Sequence, residues 1–245
     1  MKTRLICKLE IKGTNVVKPI YFEGLKIVGK IKEIFDQVHL SGVDEIIYLD
    51  IVSSLYKRKL NLDLLRESSK SIFVPLTVGG GIDSIEDCNN FFENGADKIS
   101  INTYALQTNQ KIINEIAKKY GSQSLVLNVE AKKIENEWIC YSDNGRCSSN
   151  KKILEWIQIG QDLGVGEILL QSVDRDGSKK GFDLELYKKV VDIVKVPLIV
   201  ASGFGKLEHI ENLIKLHKPQ AICLSSLIYE NKNIIKSIKS YLDEQ

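Results

Sequence analysis

The 245-residue sequence predicts an α/β fold in which eight parallel strands and their helices close into one barrel. Eight short β-rich runs alternate with segments of helical period, and the pattern of the first half of the chain returns in the second. The stretch 74–103 has a near copy at 196–226, and Pro75 and Pro197 are 122 positions apart. We therefore expect a TIM barrel of two half-barrel repeats, with residues 1–245 as a single domain.

The expected elements follow one another along the chain. Strands are expected at 5–11, 45–51, 74–78, 98–101, 124–130, 167–173, 197–201 and 221–225. Helices are expected at 31–40, 62–68, 85–92, 110–119, 153–163 and 184–194. Glycines follow several of these helices, where glycine adopts the left-handed conformation that ends a helix: Gly42, Gly95, Gly121 and Gly164.

Two connections are longer than the others. Residues 12–30 contain three glycines and are long enough for a mobile lid after the first strand. Asn144-Gly145 is a hairpin-turn signal within the insertion after the fifth strand. Both connections follow the carboxyl end of a strand, which is the face where barrel enzymes keep their active sites.

Composition excludes several classes of protein. The formal charge is +2, and the 34 basic residues are mixed with 32 acidic ones, which argues against nucleic-acid binding. Charge interrupts the N-terminal apolar run, and no stretch of about 20 apolar residues follows, so neither a signal peptide nor a membrane span is expected. The five scattered cysteines indicate neither a disulfide framework nor a zinc site. We expect a cytoplasmic protein without a metal or cofactor.

Small residues at strand ends predict two phosphate sites. Gly80 and Gly81 follow the third expected strand, and Asn102 and Thr103 follow the fourth, so backbone amides and a hydroxyl meet near a helix N-terminus. The second half offers a matching set: Asp176, Gly177, Ser202, Gly203, Ser225 and Ser226. A lone glycine cluster is more often a tight turn, but the loops after strands seven and eight are the usual phosphate site of this fold. Two such sites suit a substrate with a phosphate at each end.

Two carboxylates end strands on opposite sides of the predicted barrel. Glu10 ends strand one and Glu130 ends strand five, so the two side chains are expected to face each other across a substrate. That placement suits a general acid and a general base whose pKa values are pushed apart. The alternative is that each glutamate pairs with a neighbouring lysine, such as Lys12 or Lys132. Their equivalent places in the two halves favour catalysis.

A third set of charges lies at the opposite end of the barrel. Four residues stand at or just before the starts of strands: Arg4, Glu45, Lys98 and Glu167. Charge at this face ordinarily serves stability. Four charges that close one ring also suit a gate to a passage through the barrel.

In combination these motifs resemble the cyclase subunit family of imidazole glycerol phosphate synthase. The matching segments span the chain in family order: Asp-Glu-Ile-Ile-Tyr-Leu-Asp, Thr-Val-Gly-Gly-Gly-Ile, Gly-Ala-Asp-Lys-Ile-Ser-Ile-Asn-Thr, Gly-Ser-Gln and Asp-Arg-Asp-Gly. The resemblance implies a glutaminase partner of the class I glutamine amidotransferase type on the N-terminal barrel face, with ammonia passing through the ring. It also implies a bis-phosphorylated ribotide, whose amination and ring closure give imidazole glycerol phosphate in histidine biosynthesis. Lys18 matches the family's lid lysine and would contact substrate.

The sequence departs from the family where the reaction takes place. Glu10 and Glu130 replace aspartates, and a misplacement of about 1 Å costs about 10²-fold in rate. Gln171 replaces a threonine, while Phe204 and Pro19 replace glycines; the four ring residues are unchanged. Two alternatives to the cyclase therefore stay open. One is a paralogous barrel that relays ammonia for acetamidino modification of bacterial surface sugars, and the other is a non-catalytic scaffold that activates a glutaminase.

Overall fold

The computed structural model describes residues 2–225 and 234–245. Its strands are β1 (Arg4–Lys12), β2 (Asn15–Ile20), β3 (Glu23–Lys30), β4 (Glu45–Asp50), β5 (Leu76–Gly79), β6 (Lys98–Ile101), β7 (Leu125–Ile134), β8 (Glu137–Ser142), β9 (Cys147–Lys152), β10 (Glu167–Ser172), β11 (Leu198–Ala201) and β12 (Ala221–Leu224). Its helices are α1 (Ile31–Leu40), α2 (Leu62–Ser69), α3 (Ile85–Glu93), α4 (Thr103–Gln107), α5 (Lys111–Tyr120), α6 (Ile153–Leu163), α7 (Leu184–Val191), α8 (Leu207–Leu216) and α9 (Ile234–Asp243).

Eight of these strands close the predicted barrel. Each pairs in parallel with the next in the order β1, β4, β5, β6, β7, β10, β11 and β12, and β12 returns to β1. Helices connect these strands on the outside, as a parallel sheet requires. The prediction of a TIM barrel is confirmed, and all eight expected strands are present with ends shifted by a few residues at most.

Two antiparallel hairpins extend the barrel strands at equivalent places in the two halves. The hairpin of β8 and β9 follows β7 and turns at Asn144-Gly145, both in the left-handed region, as the sequence predicted. The hairpin of β2 and β3 follows β1 and occupies the segment expected to be a lid. Its turn residues Tyr21 and Phe22 have φ of 52° and 61°, an unfavourable conformation for aromatic residues.

The core has two apolar layers. One lies between the barrel and its helices, where α6 presents Ile153, Trp156, Ile157 and Gly160 at helical spacing. A Cβ atom at Gly160 would lie 2.5 Å from Leu127, so glycine permits this close approach of helix and strand. The other layer fills the barrel itself with side chains of alternate strand positions: Ile6, Ile47, Val126, Leu169, Ile199 and Ala221. In the described part of the chain, no helix is both long and apolar enough to cross a bilayer.

Candidate active site at the barrel mouth

Inward positions of β1 order the site along the barrel axis. Arg4, Ile6, Lys8 and Glu10 alternate with residues that face the helices, because successive strand side chains point to opposite faces. A charged ring therefore lies at the start of the strands, an apolar layer above it, and polar groups at the carboxyl ends. The carboxyl ends form the mouth of the barrel.

The structure brings the four predicted ring residues into direct contact. Arg4 donates to Glu45, and its Nη2 lies 2.6 Å from Glu167 Oε1. Lys98 Nζ lies 3.1 Å from Glu45 Oε2 and 2.7 Å from Glu167 Oε2. Each cation thus bridges both carboxylates, and the four charges close into a neutral ring at the N-terminal end of the barrel.

Glu10 is completely buried in the mouth and lies between two lysines. Its Oε1 lies 2.9 Å from Lys8 Nζ, and its Oε2 accepts hydrogen bonds from Lys18 Nζ at 2.8 Å and Ser225 Oγ at 3.2 Å. Burial by itself raises the pKa of Glu10, but the two ammonium groups outweigh it and lower the pKa to about 2. Glu10 is therefore a carboxylate throughout the physiological range. Its partners are Lys8 and Lys18, and not the Lys12 considered from the sequence.

Glu130 has no lysine in direct contact among the hydrogen bonds and ion pairs of the described residues, and its pKa shifts in the opposite direction to that of Glu10. Its Oε2 accepts the Gly145 backbone N–H at 2.7 Å, and its Oε1 accepts a longer bond of 3.3 Å from Asn128 Nδ2. Burial raises the pKa of Glu130 to about 7, against the lowering effect of the Gly145 hydrogen bond. Lys132, considered as a partner from the sequence, lies instead over the ring of Tyr141. Glu130 can therefore exchange a proton near neutral pH.

Both carboxylates line one cavity of about 370 Å³, which also contains the residues predicted for the first phosphate site. Gly80 and Gly81 form its wall, and a Cβ atom at Gly80 would lie 2.5 Å from the carbonyl oxygen of Asp50. Asn102 donates to Tyr141 O at 3.2 Å, and its buried Oδ1 has no hydrogen-bond partner within the described residues. Thr103 Oγ1 accepts the backbone N–H of Asp143 at 3.1 Å.

Three cations at the rim of this cavity were not predicted from the sequence. Lys57, Arg58 and Lys59 line it, and Arg58 Nη2 lies 3.5 Å from a carboxylate oxygen of Asp50. A run of three cations in a loop is usually solvated, so the sequence alone does not single it out. Its position in the loop between the second barrel strand and α2, at the carboxyl end of the barrel, was the available signal.

The residues predicted for the second phosphate site surround a cavity of only about 20 Å³. Asp176, Gly177, Ser202, Gly203 and Ser225 line it together with Lys18, whereas Ser226 lies outside the described residues. Lys18 Nζ lies 3.2 Å from Asp176 Oδ1.

The β2–β3 hairpin closes this second cavity. Tyr21 N–H donates to the carbonyl oxygen of Asp176 at 2.9 Å, and a Cβ atom at Gly177 would lie 2.8 Å from the carbonyl oxygen of Pro19. The centre of the Phe22 ring lies 5.5 Å from Lys8 Nζ. The Phe22 carbonyl oxygen accepts a 3.4 Å hydrogen bond from Asn144 Nδ2 on the other hairpin. The two hairpins thus meet above the mouth.

Lys8 and Asn128 are further residues of the mouth that sequence analysis did not single out. Lys8 donates to Gln171 Oε1, and Gln171 Nε2 donates to Asn128 Oδ1 at 2.7 Å. A lysine within a strand normally indicates a solvated face, yet Lys8 is 3% exposed. The signal that could have found it is its period-2 spacing from Arg4 and Glu10.

The sequence matches one protein family and several named proteins over most of its length. The model of the family described as "Histidine biosynthesis protein" matches residues 4–233. The chain is 44% identical over 206 residues to imidazole glycerol phosphate synthase subunit HisF of Legionella pneumophila, covering 84% of this chain and 97% of that protein. It is 36% identical over 242 residues to the subunit HisF of Saccharolobus solfataricus, covering 99% and 96%. The Pyrococcus furiosus subunit HisF is 39% identical over 239 residues, covering 98% and 94%.

Proposed function

We propose, on the premise that this chain belongs to the histidine biosynthesis protein family, that it is the cyclase subunit of an imidazole glycerol phosphate synthase. In this role it adds ammonia to a bis-phosphorylated ribotide and closes the imidazole ring. The similar proteins cover nearly the whole chain and carry the synthase name. They give no support to the sugar-modification or scaffold alternatives.

The observation that carries the proposal is that two buried carboxylates of different proton affinity line one cavity. Adding ammonia requires its nitrogen to lose a proton and the displaced oxygen to gain one, so the site needs groups of both kinds. Glu130, with a pKa of about 7, supplies and recovers a proton near neutral pH. Glu10 stays ionised between two lysines and stabilises positive charge that develops on nitrogen. We therefore assign Glu130 as the proton donor and Glu10 as the fixed carboxylate.

We further propose that the substrate's phosphates occupy the two predicted sites. The larger cavity supports the first site, because Gly80 and Gly81 leave room for an anion beside the rim cations. Lys18 and the Ser202–Gly203 turn support the second. Occupation of the second site requires Lys18 to exchange a carboxylate for the phosphate and the β2–β3 hairpin to move outward.

The partner in this proposal is a glutaminase subunit docked on the N-terminal face of the barrel. Exposed apolar side chains stand next to the strand starts on that face: Leu40 at the end of α1 is 83% exposed, and Phe73 before β5 is 82% exposed. Exposed large apolar side chains at such positions favour a protein interface. The charged ring would then admit ammonia from the partner into the barrel. The five free cysteines support a reducing, cytoplasmic location.

A direct assay tests the proposed activity. The purified chain is incubated with ammonium salt and the histidine-pathway ribotide, and imidazole glycerol phosphate is quantified by chromatography. Turnover by the wild-type chain, its loss in Glu130→Gln and its retention in the matched control Glu135→Gln, at the exposed β7–β8 turn, support the assignment. Absence of turnover at saturating ribotide, with the fold verified by circular dichroism, would overturn it.

A further inference from the structure

An uninterrupted chain of polar contacts crosses the barrel just beneath its mouth and connects Glu10 to Glu130. From Glu10 it runs to Lys8 Nζ at 2.9 Å, and Lys8 donates to the Gln171 carbonyl oxygen. The Gln171 amide donates to Asn128 at 2.7 Å, and the Asn128 amide donates to Glu130 at 3.3 Å. Three strands from both halves of the chain contribute to it.

We propose that Lys8 is a positioning residue for both carboxylates, acting on Glu130 through Gln171 and Asn128. Its catalytic consequence rests on the proposed function, but the bridge itself does not. In this bridge, Lys8 fixes Glu10 by direct contact and sets the proton affinity of Glu130 from a distance.

The direction of the hydrogen bonds gives the physical reason. From Lys8 onward, every donor points toward Glu130, so the two amide dipoles align and present their positive ends to that carboxylate. Hydrogen bonds in such a chain polarise one another, and a low-dielectric interior strengthens the effect. The ammonium charge of Lys8 is thereby felt at Glu130, where it favours the ionised form and opposes the effect of burial.

Because the members of this bridge are buried, each one depends on its neighbours for hydrogen-bond partners. Lys8, Gln171 and Asn128 are 3%, 1% and 7% exposed. A buried cation or amide is tolerated only when its polar atoms are paired, so loss of one member leaves the others uncompensated. The three residues each lie two positions after a member of the apolar layer that fills the barrel: Lys8 after Ile6, Asn128 after Val126 and Gln171 after Leu169. The bridge therefore forms a layer directly beneath the two carboxylates.

Several other titratable groups face Lys8. Besides Glu10 on its own strand and Glu130 on β7, they are Lys18 on β2, Asp176 after β10 and Cys223 on β12. Burial raises the pKa of the Cys223 thiol to about 12, so it stays neutral. Burial and the nearby Glu10 raise the pKa of Asp176, against the effect of Lys18. A titration experiment must therefore resolve Glu130 from Asp176.

Nuclear magnetic resonance of the ligand-free chain, labelled with ¹³C at the glutamate carboxyl carbon, makes this distinction. Signals of Glu10 and Glu130 are assigned by their loss in Glu10→Gln and Glu130→Gln, and aspartate stays unlabelled. In Lys8→Met, removal of the cation is expected to raise the pKa of Glu10 by about 1 unit or more and to raise that of Glu130 as well. Gln171→Met retains Lys8 but interrupts the bridge, so it is expected to raise the pKa of Glu130 alone.

The matched control is Lys12→Met, which removes an exposed lysine at the end of the same strand and is expected to shift neither signal. If Lys8→Met does not fold, Gln171→Met carries the same expectation for Glu130. An unchanged Glu130 titration in a folded Gln171→Met variant overturns the bridge. The titration needs no substrate, so a wild-type chain that fails to turn over the ribotide would overturn the proposed function and leave this result standing.

Discussion

Glu45 and Glu167 share both of their cationic partners, although 122 positions of the chain separate them. Arg4 and Lys98 each contact both carboxylates, so the ring has two anions and two cations in alternation. The strands that contribute it come from both halves of the barrel. Removing one member leaves partly buried like charges facing each other, which is strongly unfavourable.

Lys98→Met is expected to disturb the passage of ammonia more than the chemistry. With a glutaminase and glutamine, product formed per glutamine hydrolysed should fall several-fold, because Arg4 alone no longer closes the ring and Glu45 Oε2 and Glu167 Oε2 lose their cation. Activity with ammonium salt, which reaches the mouth from solvent, should stay within about 2-fold. Lys119→Met, an exposed lysine on α5, is the control. Equal losses with both ammonia sources would contradict a gating role.

Phe73→Glu is expected to weaken glutaminase binding by about 10-fold or more, as measured by calorimetry or a binding sensor. An exposed aromatic side chain that becomes buried on binding is a common anchor of a protein interface. A charge in its place must be desolvated on binding. Ile27→Glu, with 62% exposure on the β2–β3 hairpin at the opposite end of the barrel, is the control. Weaker binding by the Ile27 variant and none lost by the Phe73 variant would move the interface to the mouth.

Glu130→Gln is expected to reduce ammonia-dependent turnover by about 10²- to 10⁴-fold, the usual effect of losing a general acid or base. Because the pKa of Glu130 is about 7, its protonated fraction falls as pH rises through neutrality. At constant free ammonia, kcat/KM of the wild-type chain should therefore decline above about pH 7. A rate that rises through this range would reverse the assignment and make Glu130 the base.

The same group links folding stability to pH. The pKa of Glu130 is raised from about 4.5 to about 7 on folding, so the folded chain binds the proton more tightly than the unfolded chain. Its contribution is fully present below about pH 4.5 and is lost as pH rises through 7. The free energy of unfolding of the wild type, relative to Glu130→Gln, should fall by up to about 3 kcal/mol between pH 5 and pH 8. Urea titrations at both pH values measure this; a difference that does not vary with pH would refute the raised pKa.

Gly203→Ala is expected to distort the loop of the proposed second phosphate site and to raise KM for the substrate. Gly203 has φ of +91°, and a Cβ atom there would lie 2.1 Å from the carbonyl oxygen of Gly181. Gly42 has a similar φ of +88° but no atom within 4 Å of its Cβ position. Gly42→Ala should therefore cost only about 1 kcal/mol of backbone strain and leave KM unchanged. Similar KM values for the two variants would argue against a ligand-binding role of the loop.

The repeat and the strand periodicity were sufficient to predict the barrel, since both signals arise from the core. They were not sufficient for the β2–β3 hairpin. Its glycines indicate a loop, and Pro19 lacks the N–H that a strand between two neighbours normally uses. The structure accommodates Pro19 at an irregularity between Lys18 and Ile20, where the ladder register shifts. This tertiary compensation leaves no mark in local sequence.

Parts of the candidate site were likewise beyond sequence reasoning. The strand ends predicted Glu10 and Glu130 in the mouth, yet the difference between their pKa values depends on which lysines reach each one. Lys8 and Lys18 approach Glu10 from β1 and β2, whereas Glu130 meets backbone and amide groups. Side-chain reach across a barrel is a property of the folded chain, and neighbouring residues in sequence do not report it.

The closed cavity around Lys18 has a consequence for the order of events. A volume of about 20 Å³ cannot admit a phosphate, whereas the cavity beside Gly80 and Gly81 is already about 370 Å³. A substrate with two phosphates would thus be captured by one end and clamped afterwards by the other. As the second phosphate binds, Lys18 would exchange its contact with Glu10 for one with the phosphate. Glu10 would then keep only one of its two lysine partners, Lys8. Binding of a ligand with two phosphates would thus change the charge around Glu10, through the β2–β3 hairpin, before any covalent bond forms.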